Sequence, residues 1–218
     1  MSDRIQYFGE QRIGTGEGEA LEDQLGSPEG MHLLGSAMIG LTPGGVRDFA
    51  SLREALHRYA HRHMFPHELG IICEAHIHAS AGHARELIEL DLKAAALWNE
   101  GPMRDASRHV GRVQLRKLKA LKGQKLVGRY LDAIQQGDAF GSHAVVYGVV
   151  LALYSIPLRQ GLSHYGQQTL DGFVTAGMRH LSLGQAEADE LHRELCVGLP
   201  AAIEQTLGSN GQGIKLLA

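Results

Sequence analysis

The chain is poor in the residues that announce most chemistries. It has two cysteines, Cys73 and Cys196, far apart in 218 residues. That excludes a disulfide framework and a thiolate zinc site, and it suits a reducing compartment. Aromatic residues make up 6%, so a core has to be built from Leu, Ala, Val and Ile. Neither sign of charge dominates: the net charge is −3 with His neutral, which gives no argument for a nucleic-acid partner. The longest apolar run, Ala144 to Tyr154, is too short to span a bilayer. The N-terminus lacks the apolar stretch of a signal peptide. No P-loop occurs. A soluble, cytoplasmic protein is expected.

What the chain does have is an ordinary globular balance, 44% hydrophobic and 21% charged, and helical periodicity almost throughout. Its length allows one sizeable domain or two small ones. The organising stretch is Leu170 to Gln185. Leu170, Phe173, Val174, Gly177, Met178 and Leu181 fall on one helical face. Ser182, with Gln185 three residues on, then reads as a capping box for a new helix, so the stretch predicts helix, corner, helix. Upstream, Phe49, Leu52, Leu56 and Tyr59 make a stripe, with Ser51 and Glu54 as a capping box. Pro66 suits the first turn of the next helix, which Gly82 can end. Further helices are expected from about Ala84 to Trp98, Met103 to Leu121, and then to Gln135. Ser142 to Tyr154 is Val-rich, but without a partner strand it reads as a central helix. Pro200 starts a last helix.

The prediction is an all-α, single-domain multi-helix bundle over residues 31–207. Residues 1–30 form a flexible arm or loosely packed segment, and 208–218 a mobile tail. Ile5 to Phe8 can pack as a loose arm or short strand. Gly14, Gly16 and Gly18 alternate with no strand or helix to frame a phosphate loop, and read as flexible backbone.

Thirteen histidines stand out. His57 and His61 are one helical turn apart, a spacing that can chelate zinc or nickel. The plainer reading is exposed polar residues on helix faces, with a transient nickel site as the alternative. Arg104, Arg108, Arg112 and Arg116 form a row at i+4, which reads as a solvated face, a surface for an acidic partner, or a basic helix for nucleic acid. Ser107 with His109, Ser142 with His143, and His164 with Asp171 lack the framing of a catalytic set. A helical hydrolase with a Ser/His/Asp site therefore remains only as an alternative to a binding protein.

Three stretches, Glu100 to Arg112, Gly141 to Gly148 and Met178 to Gln185, resemble in family order the UreF family of urease accessory proteins. Met178-Arg179-His180-Leu181-Ser182-Leu183-Gly184-Gln185 resembles the family's Val-Arg-Leu-x-Pro-Leu-Gly-Gln signature. Glu100 to Arg112 resembles its Glu-x-Arg-x-Ser-x-x-x-Gly segment, with Arg104, Ser107 and Gly111 at the matching places. Gly141 to Gly148 resembles its Gly-His-x-x-x-x-Gly segment, with His143 and Gly148. Near the start, Gln24-Leu25-Gly26-Ser27-Pro28 and Gly40-Leu41 keep the family pattern. Between and after them Gly30-Met31, Leu33, Met38 and Thr42 depart from it.

The resemblance implies an all-helical, homodimeric chaperone that catalyses nothing. It implies a bridge between a UreD/UreH-type accessory protein and a UreG-type GTPase, delivering nickel to apo-urease. It implies partner-binding roles for Arg104, Ser107, Gly111, His143, Gly148, Arg179, Gly184 and Gln185. No tightly bound metal or other cofactor is expected, since nickel passes through the complex; nor is a nucleic acid or a membrane expected as a partner.

Overall fold

The computed structural model describes residues 27–40, 42, 44–98, 101–118 and 124–214, the last five by backbone alone. Residues 1–26 of the arm, with the Ile5–Phe8 segment and the alternating glycines, the helix end at Leu121 and residues 215–218 lie outside these residues. Among the described residues the protein is all-α, with ten α-helices and one π-helical segment. The helices are α1 (Pro28–Gly40), α2 (Phe49–Tyr59), α3 (Leu69–Ser80), α4 (Ala84–Ala96), α5 (Pro102–Lys117), α6 (Lys125–Gln136), α7 (His143–Leu153), α8 (Leu158–Leu181), α9 (Gln185–Cys196) and α10 (Leu199–Ile214). No helix among them is long and apolar enough to cross a membrane.

Two apolar clusters form the interior. One gathers α3, α4, α6, α7 and α10 around Tyr147, Ile72 and Leu87. The other gathers α1, α2 and α9 around Phe173, Leu52 and Met31. Helix α8 serves both, Leu162 and Tyr165 lying in the first and Leu170 to Ala176 in the second. At 24 residues it is about 36 Å long, enough to tie the two halves together. Helix α7 is the most deeply sunk: His143 to Leu151 are all buried. That matches the helical reading of its Val-rich sequence, with Ser142 as N-cap.

Helix contacts are close because glycines sit at the crossings. A Cβ on Gly148 of α7 would lie 2.5 Å from Ile72 O of α3 and 2.7 Å from Ala75 Cβ. A Cβ on Gly172 of α8 would collide with Met31, and one on Gly35 of α1 would lie 2.8 Å from Phe173 Cα. Helix α1 carries Gly30, Gly35 and Gly40, which lower its helical propensity and hid it in the sequence; packing on α8 more than offsets that cost.

Three expectations about helix ends are corrected. Pro66 does not begin a helix. It lies inside the π segment Ala60–Glu68, which joins α2 to α3 without a break. The wider register there, with Leu69 N–H donating to Met64 O, accommodates a residue that lacks an N–H and crowds the preceding turn. The first capping box is Asp48 with Ser51, not Ser51 with Glu54: Asp48 Oδ1 accepts from Ser51 N at 2.8 Å. Ser182 does not cap α9. It is the left-handed C-cap of α8, at φ 55°, and Gly184 is the N-cap, its N–H donating to Glu187 Oε2 at 3.0 Å. A residue already spent on stopping one helix is in the wrong backbone region to start the next. Gly82, at φ 73°, does end α3. The boundaries also differ from expectation: α1 starts at Pro28, and α10 runs past Gly208 to Ile214.

Gly148→Ala should lower stability by about 1–3 kcal/mol, the usual cost of overpacking, because the obstacle is backbone. Gly70→Ala, in α3 with nothing within 4 Å, should raise it by about 0.5–1 kcal/mol. Urea unfolding of both variants checks the opposite signs.

Candidate functional site

The stretches that carry the resemblance meet in space at two places, one buried and one exposed. The buried place is the joint between α5 and the start of α7. Ser107 Oγ accepts the backbone N–H of His143 at 3.1 Å. One turn on, Gly111 lies so close to the loop before α7 that a Cβ would collide with Gly141 O. His143 is buried, with Nδ1 3.1 Å from Gln114 Oε1, which places the ring proton on Nδ1. Its Nε2 is buried without a hydrogen-bond partner among the described residues. Burial pushes the imidazole down to about 3, so the ring is neutral at ordinary pH.

Asp91 of α4, which sequence reasoning passed over, organises this joint. Its Oδ2 accepts from Tyr130 Oη at 3.0 Å, Phe140 N at 2.8 Å and Gly141 N at 2.6 Å, and its Oδ1 from Ser142 N at 2.9 Å. Those donors include backbone N–H groups at the mouth of α7, which suit an acidic partner. The signal available was an acid on the apolar face of α4, in helical register with Leu87, Leu90 and Ala94, since a buried charge has to be paired or hydrogen-bonded.

Beside His143 lies a cavity of about 20 Å³, lined in part by Ser107, Ser142, Tyr59, Glu68 and Tyr165; it has room for about one water. Glu68, buried at the end of the π segment, accepts from Tyr59 Oη at 2.8 Å and Tyr165 Oη at 2.9 Å. Burial raises its carboxyl above the usual range, and the two tyrosine donors oppose that shift. The serines singled out as possible nucleophiles are engaged here as structural groups. Ser107 Oγ takes the His143 amide, and Ser142 Oγ donates to Asp91 O at 3.4 Å. Gly148 belongs to the α3 crossing.

The exposed place is the corner between α8 and α9. Arg179 and Gln185 line one cleft of about 200 Å³ together with Asp171, Thr175, Asp189 and His192. Arg179 is exposed, as are Gly184 and Gln185. The Gln185 amide donates to Asp189 Oδ1 at 2.7 Å. Cys196 Sγ lies 3.5 Å from His192 Nε2, and burial, then Asp171, push its thiol up to about 11, which favours the protonated form. Arg104 sits on neither place: its guanidinium lies 4.9 Å from the Phe140 ring centroid. His57 and His61 stack with centroids 6.0 Å apart, and His57 Nε2 lies 2.6 Å from Glu194 Oε1, which Arg53 also binds at 2.7 Å. Among the described residues no three His, Cys, Asp or Glu side chains gather as a metal-ligand set.

The family model described as UreF matches residues 46–196, which takes in α2 to α9 and all three stretches. The chain belongs to the UreF family. Over 103 residues it is 36% identical to the urease accessory protein UreF of Pseudomonas putida strain GB-1, and 41% identical to those of strains F1 and KT2440. Each match covers 42% of this chain and 46% of the relative, so the chain spans about half the length of the curated relatives it matches.

Asp91→Asn should cost at least about 2–3 kcal/mol, because one amide face turns a donor toward N–H or O–H donors in a buried site; urea unfolding measures it. His143 sets a pH dependence. Its folded pKa is near 3 against about 6.5 unfolded, so the unfolded chain takes up its proton first. The stability owed to neutral His143 is complete above about pH 6.5 and is lost as pH falls toward 3. His143→Gln should flatten the fall of melting temperature between those values.

Proposed function

We propose that the protein is a urease accessory protein acting in nickel insertion. In this reading it bridges a UreD/UreH-type protein and a UreG-type GTPase on apo-urease, as a cytoplasmic homodimer. The observation that supports it is the family match from residue 46 to 196, continuous across the helices that carry all three motif stretches. Nickel is cargo in this reading, handed between partners. The chain's own part is recognition and relative placement, which rigid helical surfaces with Arg anchors perform well.

The eight partner residues then divide by position. Arg179, Gly184 and Gln185 are exposed at the α8–α9 corner, where a partner can reach them, and Arg104 is half-buried against Phe140. Ser107, Gly111, His143 and Gly148 act on partners indirectly, by holding α5, α7 and α3 at the distances that shape the outer surface. In the cleft, Arg179 offers a guanidinium to a carboxylate or carbonyl. Gly184 lets another backbone approach.

Co-expression with the GTPase and the D-type protein, followed by size exclusion with mass measurement, should give a complex containing two copies of this chain; the absence of either partner from the complex counts against the bridging role. Arg179→Ala should leave the melting temperature within about 2 °C of wild type, as for a surface substitution. It should weaken binding to one partner more than tenfold, about 2 kcal/mol or more at an anchor. Unfolding of the variant makes Arg179 structural, and unchanged binding to both partners removes the docking role from this corner.

A further inference from the structure

The charge of this chain is unevenly placed. Residues 102–125 hold eight Lys and Arg and one acid, Asp105, in a chain whose net charge is −3. The remainder therefore carries −10. Most of that positive segment is α5, whose apolar side (Met103, Ala106, Val110 and Leu115) is buried. Its outer side bears Arg108 and Arg116, both exposed, with Arg112 half-buried between them. Lys125 and Arg129 of α6 are exposed as well.

Three observations make this more than a solvated face. First, none of the ion pairs among the described residues involves Arg108, Arg112 or Arg116. Asp91, the acid whose charge acts on Arg112, is buried and already accepts four hydrogen bonds. Second, Arg108 lies 5.5 Å from the centroid of the Phe140 ring, which Arg104 also faces at 4.9 Å. A ring contact of this kind holds a guanidinium in place and lowers the entropy lost when it binds. Third, Arg112 Nε is buried and without a hydrogen-bond partner among the described residues. Burial and the neighbouring Arg108 both hold Arg112 below the usual arginine range, with Asp91 opposing. Two guanidiniums close enough to repel one another gain from an anion set between them.

We propose that the outer face of α5, continued by the start of α6, is a docking strip for an acidic helix of a partner protein, whose carboxylates are taken by Arg108, Arg112 and Arg116. Arginines four residues apart rise about 6 Å per step, the same step as Glu or Asp at every fourth position of a facing helix. Arginine forks bind carboxylates two hydrogen bonds at a time. A long polyanion such as DNA fits worse. It would run past a helix of about 24 Å in a chain whose remaining charge is negative, and α5 carries no Phe, Tyr or Trp for a base to stack on.

The strip stands apart from the α8–α9 corner and does not depend on the urease reading. The test uses the full chain and three fluorescent probes: a helix-forming peptide with Glu at every fourth position, its Gln analogue, and a short DNA duplex. Anisotropy at about 50 mM salt should show binding of the Glu peptide at least tenfold tighter than of the Gln analogue, weakening at least tenfold by about 300 mM as screening predicts. Arg108→Glu and Arg116→Glu, both on exposed side chains, should each lose about tenfold or more of that binding at unchanged melting temperature, while Arg116→Lys keeps most of it. Equal binding of the two peptides, or charge-reversed variants that bind as wild type, overturns the proposal. DNA held more tightly than the Glu peptide, and lost in the same variants, overturns it in favour of a nucleic-acid surface.

Discussion

Asp91 accepts four hydrogen bonds with a side chain that has no exposed surface, and the middle of the molecule depends on it. Its donors come from Tyr130 on α6 and from three successive amides, Phe140 to Ser142, that lead into α7. Without that acceptor the amides would be buried and unpaired, at a cost of about 1–3 kcal/mol each. With it, the loop is drawn down on to α4 and α7 is aimed through the core. Everything placed relative to α7 inherits that aim, including α3 across Gly148, α8 through Tyr165, and α5 through the contact of Ser107 with the His143 amide.

A second polar group works in the same way from the other side. Glu68 sits where the π register of Ala60–Glu68 gives way to α3, and its carboxyl oxygen gathers Tyr59 and Tyr165. Tyr59 belongs to one apolar cluster and Tyr165 to the other, so this small network spans the seam that α8 also bridges. Buried polar groups of this kind add little net stability when fully satisfied, but they penalise every arrangement that leaves them unsatisfied. Pro66, which the wide register accommodates, and Glu68, at its end, are two residues apart.

The family's marks thus fall into two physical roles. Ser107, Gly111, His143 and Gly148 are interior or nearly so, and each is explained by a close approach or a hydrogen bond within the chain. Arg179, Gly184 and Gln185 are exposed at the α8–α9 corner, Arg179 and Gln185 lining one cleft, and their bonds within the chain are local to the start of α9. The basic face of α5 is a third kind of feature: a charge pattern plain in the residues, whose outward aim only the packed helix reveals.

Sequence by itself determined the all-α class, because apolar residues at helical spacing recur in nearly every segment and that spacing is local. It also determined the family, through three ordered stretches, and the corner after Leu181. It misread how that corner is built, since Ser182 can stop one helix or start another and the choice is set by the backbone around it. It missed α1, whose three glycines argue against a helix until α8 presses against Gly35. It could not select Asp91 or Glu68, because an acid among apolar residues matters only when donors from distant segments converge on it: 39 to 51 residues away for Asp91, and 97 for Tyr165 on Glu68. Which polar groups are buried, and what satisfies them, is a property of chain segments brought together, and only the tertiary structure decides it.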